Sequence, residues 1–168
     1  MIWITATPPT PNGRLHVGHM SGPYLAADQL SRAFRACGKK TYVTTGLDVN
    51  QTYVASKAVL LNDTPEGVAQ RFNNDILAAW NGLGIHFDDI VTPSDEGYID
   101  SVQNMFRQLD KNGYLKTAPT DLPYCTKCDK YLYQAYIRGL CPHCNAPSNG
   151  SACEDCGLPN RCIDLVNP

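Results

Sequence analysis

Two histidines and two glycines near the amino terminus are the residues of this chain best suited to bind a phosphate group. They lie in the segment Asn12-Gly13-Arg14-Leu15-His16-Val17-Gly18-His19. Glycines let a ligand approach the backbone closely, and each imidazole can donate a hydrogen bond to a phosphate oxygen. A lone His-x-x-His pattern also fits histidines that merely cap a helix. The segment therefore predicts a phosphate site only if the elements around it support one.

Cysteines form the second group of residues with chemical potential. The chain has eight, and all except Cys37 lie beyond residue 120. They include three Cys-x-x-Cys pairs, namely Cys125/Cys128, Cys141/Cys144 and Cys153/Cys156. Two-residue spacing lets both thiolates of a pair face one tetrahedral Zn²⁺, and two pairs make a closed structural site. Disulfides are the alternative, but no export signal precedes them, so a reducing compartment and zinc are favoured.

The neighbouring pairs predict one complete zinc site. Cys141, Cys144, Cys153 and Cys156 are close in sequence, and Asn149-Gly150 can form the turn between the two pairs. Cys125 and Cys128 then lack two ligands. Cys162 and His143 are possible substitutes, although one is a lone thiol and the other lies inside a pair, so both are disfavoured.

Composition and charge exclude several classes of protein. With 168 residues, 43% hydrophobic and 18% charged, the chain is neither disordered nor collagen-like. The formal net charge of −2 gives no basic excess of the kind that many nucleic-acid binders show. No apolar run is long enough to span a bilayer. We expect a cytoplasmic protein without a membrane partner.

The elements around the histidines predict a parallel sheet. Residues 2–7 read as a short buried strand, a Pro- and Gly-rich loop follows, and an apolar stripe from Val17 to a stop at Gly38 predicts a helix. A second strand is predicted at residues 42–45. Strand, helix and strand in this order form a right-handed crossover between parallel strands. Ligands of such sheets bind at the carboxyl ends of the strands, where His16 and His19 are expected.

The remaining pattern predicts where the first domain ends. A helix begins at Asp63 or Thr64 and ends at Gly82, with Val68, Phe72, Ile76 and Trp80 facing inward. A short strand at 89–92 and a helix at 95–111 follow. Periodicity stops near residue 117. We therefore expect an α/β fold, a partial doubly wound parallel domain over residues 1–117, and a small zinc-knuckle subdomain over residues 118–168.

The loop after the first strand resembles the nucleotide signature of the class I aminoacyl-tRNA synthetases. It consists of Thr7-Pro8-Pro9-Thr10-Pro11-Asn12-Gly13 followed by His16, Gly18 and His19. Within it, the Asn12-Gly13 pair before His16 is similar to the methionyl enzymes. The similarity continues through Thr45-Gly46-Leu47-Asp48 and Leu109-Asp110-Lys111-Asn112-Gly113-Tyr114 into the cysteine region. It implies a Rossmann-like, HUP-type domain. It also implies that ATP, entering with Mg²⁺, binds beside Asn12, Gly13, His16, Gly18 and His19, with the two histidines catalysing aminoacyl-adenylate formation before tRNA is charged.

The same resemblance implies an amino-acid site. Asp48 matches the residue that holds the substrate's α-ammonium, although an Asp that caps the next helix is the alternative. Pro8 and Thr10 stand where the methionyl enzymes carry an apolar residue and a tyrosine along the amino-acid side chain. The usual Asp-Glu-His-Gly is here Asp48-Val49-Asn50-Gln51. Methionine is the expected substrate, and a paralogue that activates another amino acid is the alternative.

Some parts of the resembled enzymes do not occur in the 168 residues. The sequence contains no Lys-Met-Ser-Lys-Ser signature, no anticodon-reading domain and no fourth cysteine pair to complete the site of Cys125 and Cys128. The resemblance thus implies the first part of a larger enzyme, inactive alone, in which tRNA contacts regions absent here. A synthetase-like module that binds a nucleotide or a protein without catalysis is the alternative.

Overall fold

The computed structural model describes residues 1–168 and divides the chain into two compact units. The first comprises Met1–Tyr114 and the second Leu115–Pro168. The units have different kinds of secondary structure. Helices and a parallel sheet make up the first, whereas short hairpins and turns make up the second.

A three-stranded parallel sheet forms the centre of the first unit. Its strands are β1 (Ile2–Thr5), β2 (Thr41–Gly46) and β3 (Asp89–Val91), hydrogen-bonded in the order β1-β2-β3. Ile2 lies opposite Thr41, and Thr44 lies opposite Asp89. The predicted α/β fold with parallel strands is confirmed.

Five α-helices and one π-helical turn accompany the sheet. They are α1 (Val17–His19), the π-helical turn (Met20–Tyr24), α2 (Leu25–Ala36), α3 (Thr52–Leu61), α4 (Pro65–Gly82) and α5 (Glu96–Lys111). Helix α4 begins where its sequence predicts, since the Thr64 hydroxyl accepts a hydrogen bond from the Gly67 N–H at 3.0 Å and Pro65 opens the first turn. None of these helices has the length and apolar character needed to cross a membrane.

The helix predicted after Val17 is present and unbroken as far as Ala36, but it is not α-helical throughout, and Pro23 is the reason. Proline has no N–H and cannot make the usual bond to the carbonyl four residues earlier. The chain instead forms a π-helical turn, in which the Leu25 N–H reaches the Met20 carbonyl five residues back. Apolar spacing on both sides of Pro23 still fits a helix, so the periodicity does not show the π-helical turn.

Helix α3 has no counterpart among the predicted elements. It buries Val54 and Ala58 against α4, while Val59 and Leu60 on the same helix are exposed. Apolar residues therefore surround much of the helix and do not form one clear stripe. Without a stripe, the 3.6-residue period is weak and predicts no element.

The main core lies on one face of the sheet. Ile4 and Val43 pack there against Tyr24, Ile76 and Trp80 from the helical layer. The ring of Trp80 is centred 5.0 Å from Tyr24 and 4.9 Å from Phe87. All four residues predicted to face inward on α4 are buried. Burying one such large apolar side chain stabilises the fold by about 1.5–3 kcal/mol.

The other face of the sheet is open. Trp3 is 70% exposed, and its cross-strand neighbour Tyr42 is 40% exposed. The prediction of a buried first strand is therefore wrong at Trp3. Successive strand residues point to opposite faces, and only the face that carries Ile4 meets the helices. The Trp3 indole N–H donates to the Thr44 hydroxyl at 2.9 Å across this face.

Helix α5 matches its predicted span, but none of its residues is buried. Its apolar stripe is exposed along its whole length, with Phe106 at 62%. The stripe consists of Tyr98, Ile99, Val102, Met105, Phe106 and Leu109. A continuous exposed apolar surface of this kind is uncommon on a monomer and favours binding of apolar molecules.

We expect the chain to bind a hydrophobic dye such as ANS in its folded state. The double change Val102→Glu and Phe106→Glu should lower dye fluorescence by about half, because it interrupts the stripe of α5. Gln103→Glu on the same helix is the matched control and should leave the fluorescence unchanged. Circular dichroism of each variant establishes that helix content is retained. Equal fluorescence in the double variant and the control would show that another surface binds the dye.

The second unit consists of two short hairpins and two 3₁₀ turns. Strands β4 (Tyr124–Cys125) and β5 (Lys130–Tyr131) form one antiparallel pair, and β6 (Gly139–Leu140) and β7 (Pro147–Ser148) form the other. The 3₁₀ turns are Gln134–Tyr136 and Cys162–Asp164. Its buried apolar cluster is small and comprises Ile137, Cys162 and Leu165. So small a core is insufficient to hold 54 residues folded without other support.

Candidate functional site

The loops that follow the three strands are tied together at the carboxyl edge of the sheet. The Asp48 N–H, after β2, donates to the Pro9 carbonyl after β1 at 3.0 Å. The Leu47 N–H donates to the carbonyl of Val91, the last residue of β3, at 3.1 Å. These bonds hold the ends of all three strands in one crevice, which is where open parallel sheets bind ligands.

His16 and His19 cap the first helical turn for each other. The His19 N–H donates to His16 Nδ1 at 3.3 Å, and the His16 N–H donates to His19 Nδ1 at 3.3 Å. Their rings stack with centroids 3.7 Å apart. The capping interpretation and the phosphate interpretation are therefore compatible, because capping uses Nδ1 alone.

The mutual capping determines which ring nitrogen can serve a ligand. Since Nδ1 of each ring accepts a backbone N–H, a neutral ring carries its proton on Nε2. Both side chains are exposed, so two Nε2–H donors are available to an anion. A Cβ on Gly18 would lie 3.0 Å from Cε1 and 3.1 Å from Nδ1 of His16. Any larger residue at position 18 would therefore displace the His16 ring.

Arg14 connects the histidine loop to helix α4. Its Nε donates to Asp75 Oδ2 at 3.0 Å. The Arg14 side chain is 80% exposed, and surface pairs of this kind contribute little to stability. The pair places a guanidinium group beside the loop without fixing it there.

A cavity of about 540 Å³ lies against this loop. Five of the residues singled out in the sequence line it, namely Pro8, Thr10, Asn12, Gly13 and His19. His16 and Gly18 are not among the lining residues and belong to the turn that carries His19. Tyr53 of α3 also lines the cavity, although the sequence pattern did not single it out. No sequence signal indicates Tyr53, because the apolar residues of α3 form no clear stripe that would predict this helix.

Asp48 lines a neighbouring cavity of about 450 Å³ at the ends of the strands, together with Pro8 and Gly46. Pro8 lines both cavities, so the two are adjacent. The Gln51 amide donates to Asp48 Oδ2 at 2.6 Å. Asp48 does not cap the next helix, since Gln51 is the N-cap residue of α3. The structure thus removes the capping alternative for Asp48.

Four cysteines of the second unit converge on one point. The sulfur atoms of Cys141, Cys144, Cys153 and Cys156 all lie within 4.8 Å of one another. The Cys141 and Cys156 sulfurs are 3.8 Å apart, and the Cys144 and Cys153 sulfurs are 3.6 Å apart. A disulfide requires about 2.05 Å, whereas four thiolates around a tetrahedral Zn²⁺ lie about 3.8 Å apart. The geometry excludes disulfides and fits a metal ion.

The thiols of this cluster influence one another electrostatically. Burial alone would raise the pKa of Cys141, but the N–H groups of His143 and Cys144 outweigh burial, and this pKa falls to about 6. The Ala146 N–H alone would lower the pKa of Cys144, but burial and the hydrogen bond with Cys153 raise it to about 12. The cluster therefore forms one thiolate readily and resists the next. A divalent cation at the centre of the cluster would stabilise all four cysteines as thiolates.

Cys125 and Cys128 lie apart from this cluster, at the first hairpin. The N–H and thiol of Cys128 lower the pKa of Cys125. His143 and Cys162, the possible substitute ligands, are engaged elsewhere. His143 Nε2 is 3.3 Å from the Pro159 carbonyl, and the Cys162 thiol donates to the Gly150 carbonyl at 3.4 Å. Metal binding by Cys125 and Cys128 remains a prediction.

The chain is similar to known tRNA synthetases over nearly its whole length. The model of the family described as tRNA synthetases class I (M) matches residues 2–168. A methionine–tRNA ligase of Dehalococcoides mccartyi (strain BAV1) is 32% identical over 167 residues, which are 99% of this chain and 30% of that protein. The methionine–tRNA ligase of Thermomicrobium roseum is 32% identical over 161 residues, 95% of this chain and 28% of that protein.

A solved structure shows the same fold. LeuRS of Agrobacterium radiobacter K84, in a ternary complex with tRNA and LeuAMS, matches with a TM-score of 0.68 and 20% identity. The match covers 78% of this chain and 17% of LeuRS. The chain spans less than a third of the length of the curated relatives described above.

Proposed function

Because this chain belongs to the class I tRNA synthetases of the methionyl (M) family, we propose that it forms the part of such an enzyme that binds ATP and an amino acid for adenylate formation. The observation that carries the proposal is the pair of stacked histidines at the carboxyl edge of the sheet. Their Nδ1 atoms are occupied by backbone N–H groups, and their Nε2–H groups are available to phosphate oxygens. ATP enters with Mg²⁺ as a substrate.

In the proposed reaction, a carboxylate oxygen of the amino acid attacks the α-phosphorus of ATP, and pyrophosphate leaves. Negative charge develops on the phosphoryl oxygens in the transition state. Fixed N–H donors directed at those oxygens stabilise that charge without reorganisation. His16 and His19 supply such donors, while Asn12 and Gly13 line the cavity in which the nucleotide is proposed to bind.

Asp48 is proposed to hold the α-ammonium group of the amino acid. It is half-buried and lines the cavity at the strand ends, next to the nucleotide cavity. Pro8 lines both cavities and Thr10 lines the nucleotide cavity, so both are proposed to contact the substrate. The named activity of the relatives supports methionine as that substrate. Transfer to tRNA is proposed to require the regions that the relatives have beyond this chain.

The four-cysteine cluster is proposed to bind zinc. Four thiolates in tetrahedral arrangement are the donor set that Zn²⁺ prefers, and the sulfur separations fit it. Four protein ligands leave no open position for a substrate, so the ion would support the fold of the second unit. Cys125 and Cys128 are proposed to provide half of a second site.

The test of the proposed nucleotide site is ATP binding to the 168-residue chain. We expect weak binding, which His16→Ala or His19→Ala weakens about tenfold, since each change removes one hydrogen bond to a charged group. Binding of adenosine should not change, because adenosine carries no phosphate. Isothermal titration calorimetry or ligand-observed NMR measures both affinities. We expect no amino-acid-dependent pyrophosphate exchange by this chain, which has no Lys-Met-Ser-Lys-Ser signature.

His86→Ala is the matched control for these variants, because His86 is exposed and lies outside both cavities. It should bind ATP as the unmodified chain does. If His16→Ala and His19→Ala bind ATP as tightly as His86→Ala and the unmodified chain do, the assignment of the nucleotide site is contradicted. Robust pyrophosphate exchange by the chain would contradict the proposal that it is only part of the catalytic machinery.

A further inference from the structure

Gln51 makes an unusual contact for a residue at the start of a helix. It is the N-cap residue of α3, with extended backbone angles (φ −82°, ψ 143°), yet its side chain makes no capping bond. The side-chain amide instead turns back three residues and donates to Asp48 Oδ2 at 2.6 Å. Such a bond between an amide and a carboxylate is charge-assisted and stronger than one between neutral groups.

The backbone holds both partners in place. The Asp48 N–H is bonded to the Pro9 carbonyl at 3.0 Å, and the Gln51 carbonyl accepts from the Val54 N–H at 3.0 Å in the first turn of α3. With both backbones anchored, the side-chain bond restricts rotation of the Asp48 carboxylate. The Oδ2 atom accepts the bond from Gln51, so Oδ1 is the oxygen that we expect to meet a ligand.

Gln51 reaches Asp48 from outside the cavity that Asp48 lines. Asp48 lines the cavity of about 450 Å³ at the strand ends, and Gln51 lines a different cavity of about 400 Å³ beside α3 and α4. The amide therefore contacts the carboxylate without being one of the residues that line the proposed amino-acid cavity. An amide carries no formal charge, so Gln51 does not compete with a cationic ligand as a lysine or arginine at this position would.

The contact also differs from the pattern of the resembled enzymes. Their Asp-Glu-His-Gly has glycine where this chain has Gln51, and glycine has no side chain to donate. The sequence Asp48-Val49-Asn50-Gln51 thus places a hydrogen-bond donor where those enzymes have glycine, and this donor reaches the carboxylate.

We propose that Gln51 is a positioning residue that fixes the Asp48 carboxylate so that Oδ1 faces the α-ammonium of the amino acid. This inference rests on the proposed function of Asp48. Gln51 does not touch the substrate; it acts through Asp48 alone. The role predicts an effect on ligands that carry an ammonium group and none on ligands that lack it.

The experiment compares two ligands on the 168-residue chain by NMR titration. They are L-methionine and 4-(methylthio)butanoate, which is methionine without its amino group. Gln51→Leu should weaken methionine binding about tenfold, the loss expected for one bond to a charged group, and leave the desamino ligand unchanged. In Gln51→Glu the new side chain has nearly the same shape as glutamine, but its carboxylate repels Asp48. This variant should therefore weaken methionine binding at least as much as Gln51→Leu does. Gln108→Leu on exposed α5 is the matched control and should change neither affinity.

A double-mutant cycle with Asp48→Asn separates positioning from a merely structural role. If Gln51 acts through Asp48, adding Gln51→Leu to Asp48→Asn changes methionine binding no further. The inference would be overturned if Gln51→Leu lowered the affinity for methionine and for the desamino ligand equally. It would also be overturned if Gln51→Leu lowered methionine affinity in the Asp48→Asn background as much as it does in the unmodified chain. If the unmodified chain binds methionine and Gln51→Leu binds it equally, the inference fails while the proposed site stands. If the unmodified chain binds no methionine, the amino-acid part of the proposed function fails, and this inference fails with it.

Discussion

Replacing Cys153 by serine is expected to unfold the second unit and abolish the zinc binding that is proposed for the four-cysteine cluster. The Cys153 side chain is buried, and its sulfur lies 3.6 Å from that of Cys144 in the four-cysteine cluster. Losing even an outer-shell partner commonly lowers metal affinity 10- to 100-fold, so losing a ligand should cost more than about 100-fold. The apolar core of this unit has only a few residues. Metal binding is therefore expected to supply most of its folding free energy.

Zinc content by plasma mass spectrometry and the dispersion of amide NMR signals from residues 115–168 measure this effect. We expect about one tightly bound zinc per chain, which a chelator removes together with the dispersed signals. Lowering the pH should also release zinc, because protons compete for the thiolates. Cys37→Ser is the control, since Cys37 is exposed and lies in the first unit. Dispersed signals from a metal-free Cys153→Ser chain would contradict the prediction.

Trp80→Ala is expected to produce the largest loss of stability in the first unit, about 3–5 kcal/mol, as for other large buried aromatic residues. Trp80 is 2% exposed and packs edge-on against Tyr24 and Phe87. Tyr24 ends the π-helical turn that follows His19. The cavity left by the indole should therefore also disturb the proposed nucleotide site and weaken ATP binding.

Urea unfolding measures the free energy, and ATP titration measures the effect on the site. Trp80→Phe is the matched comparison, because it keeps an aromatic ring and removes a buried indole N–H that has no hydrogen-bond partner. Removing that unpaired donor offsets part of the lost packing, so this variant should be clearly more stable than Trp80→Ala. A loss below about 1 kcal/mol for Trp80→Ala would show that the core can refill the cavity.

Local signals in the sequence were sufficient for much of this molecule. The start of α4 was predictable because Thr64 and Pro65 act on the backbone beside them, and its inward face because one stripe repeats every three to four residues. The cysteine cluster was predictable because two-residue spacing brings paired sulfurs together in a knuckle. The position of His16 and His19 followed from the strand and helix on either side of them.

Other features depend on residues far apart in the chain, and the sequence pattern could not show them. The exposed stripe of α5 has the same periodicity as a buried one, since a pattern shows which side is apolar but not what covers it. The spacing of apolar residues also does not reveal the π-helical turn at Pro23 or helix α3.

The candidate site likewise has residues that the sequence indicates and contacts that only the structure shows. The sequence indicated His16 and His19 through the chemistry and position of their side chains, and its resemblance to the class I synthetases implied their roles and that of Asp48. Only the tertiary structure decided how they are held. The bond between Asp48 and Pro9 joins loops from different strands, and the Gln51 amide reaches Asp48 because α3 begins at that point. Residue types determine which chemistry is available, whereas packing and backbone hydrogen bonds determine which atoms are free to perform it.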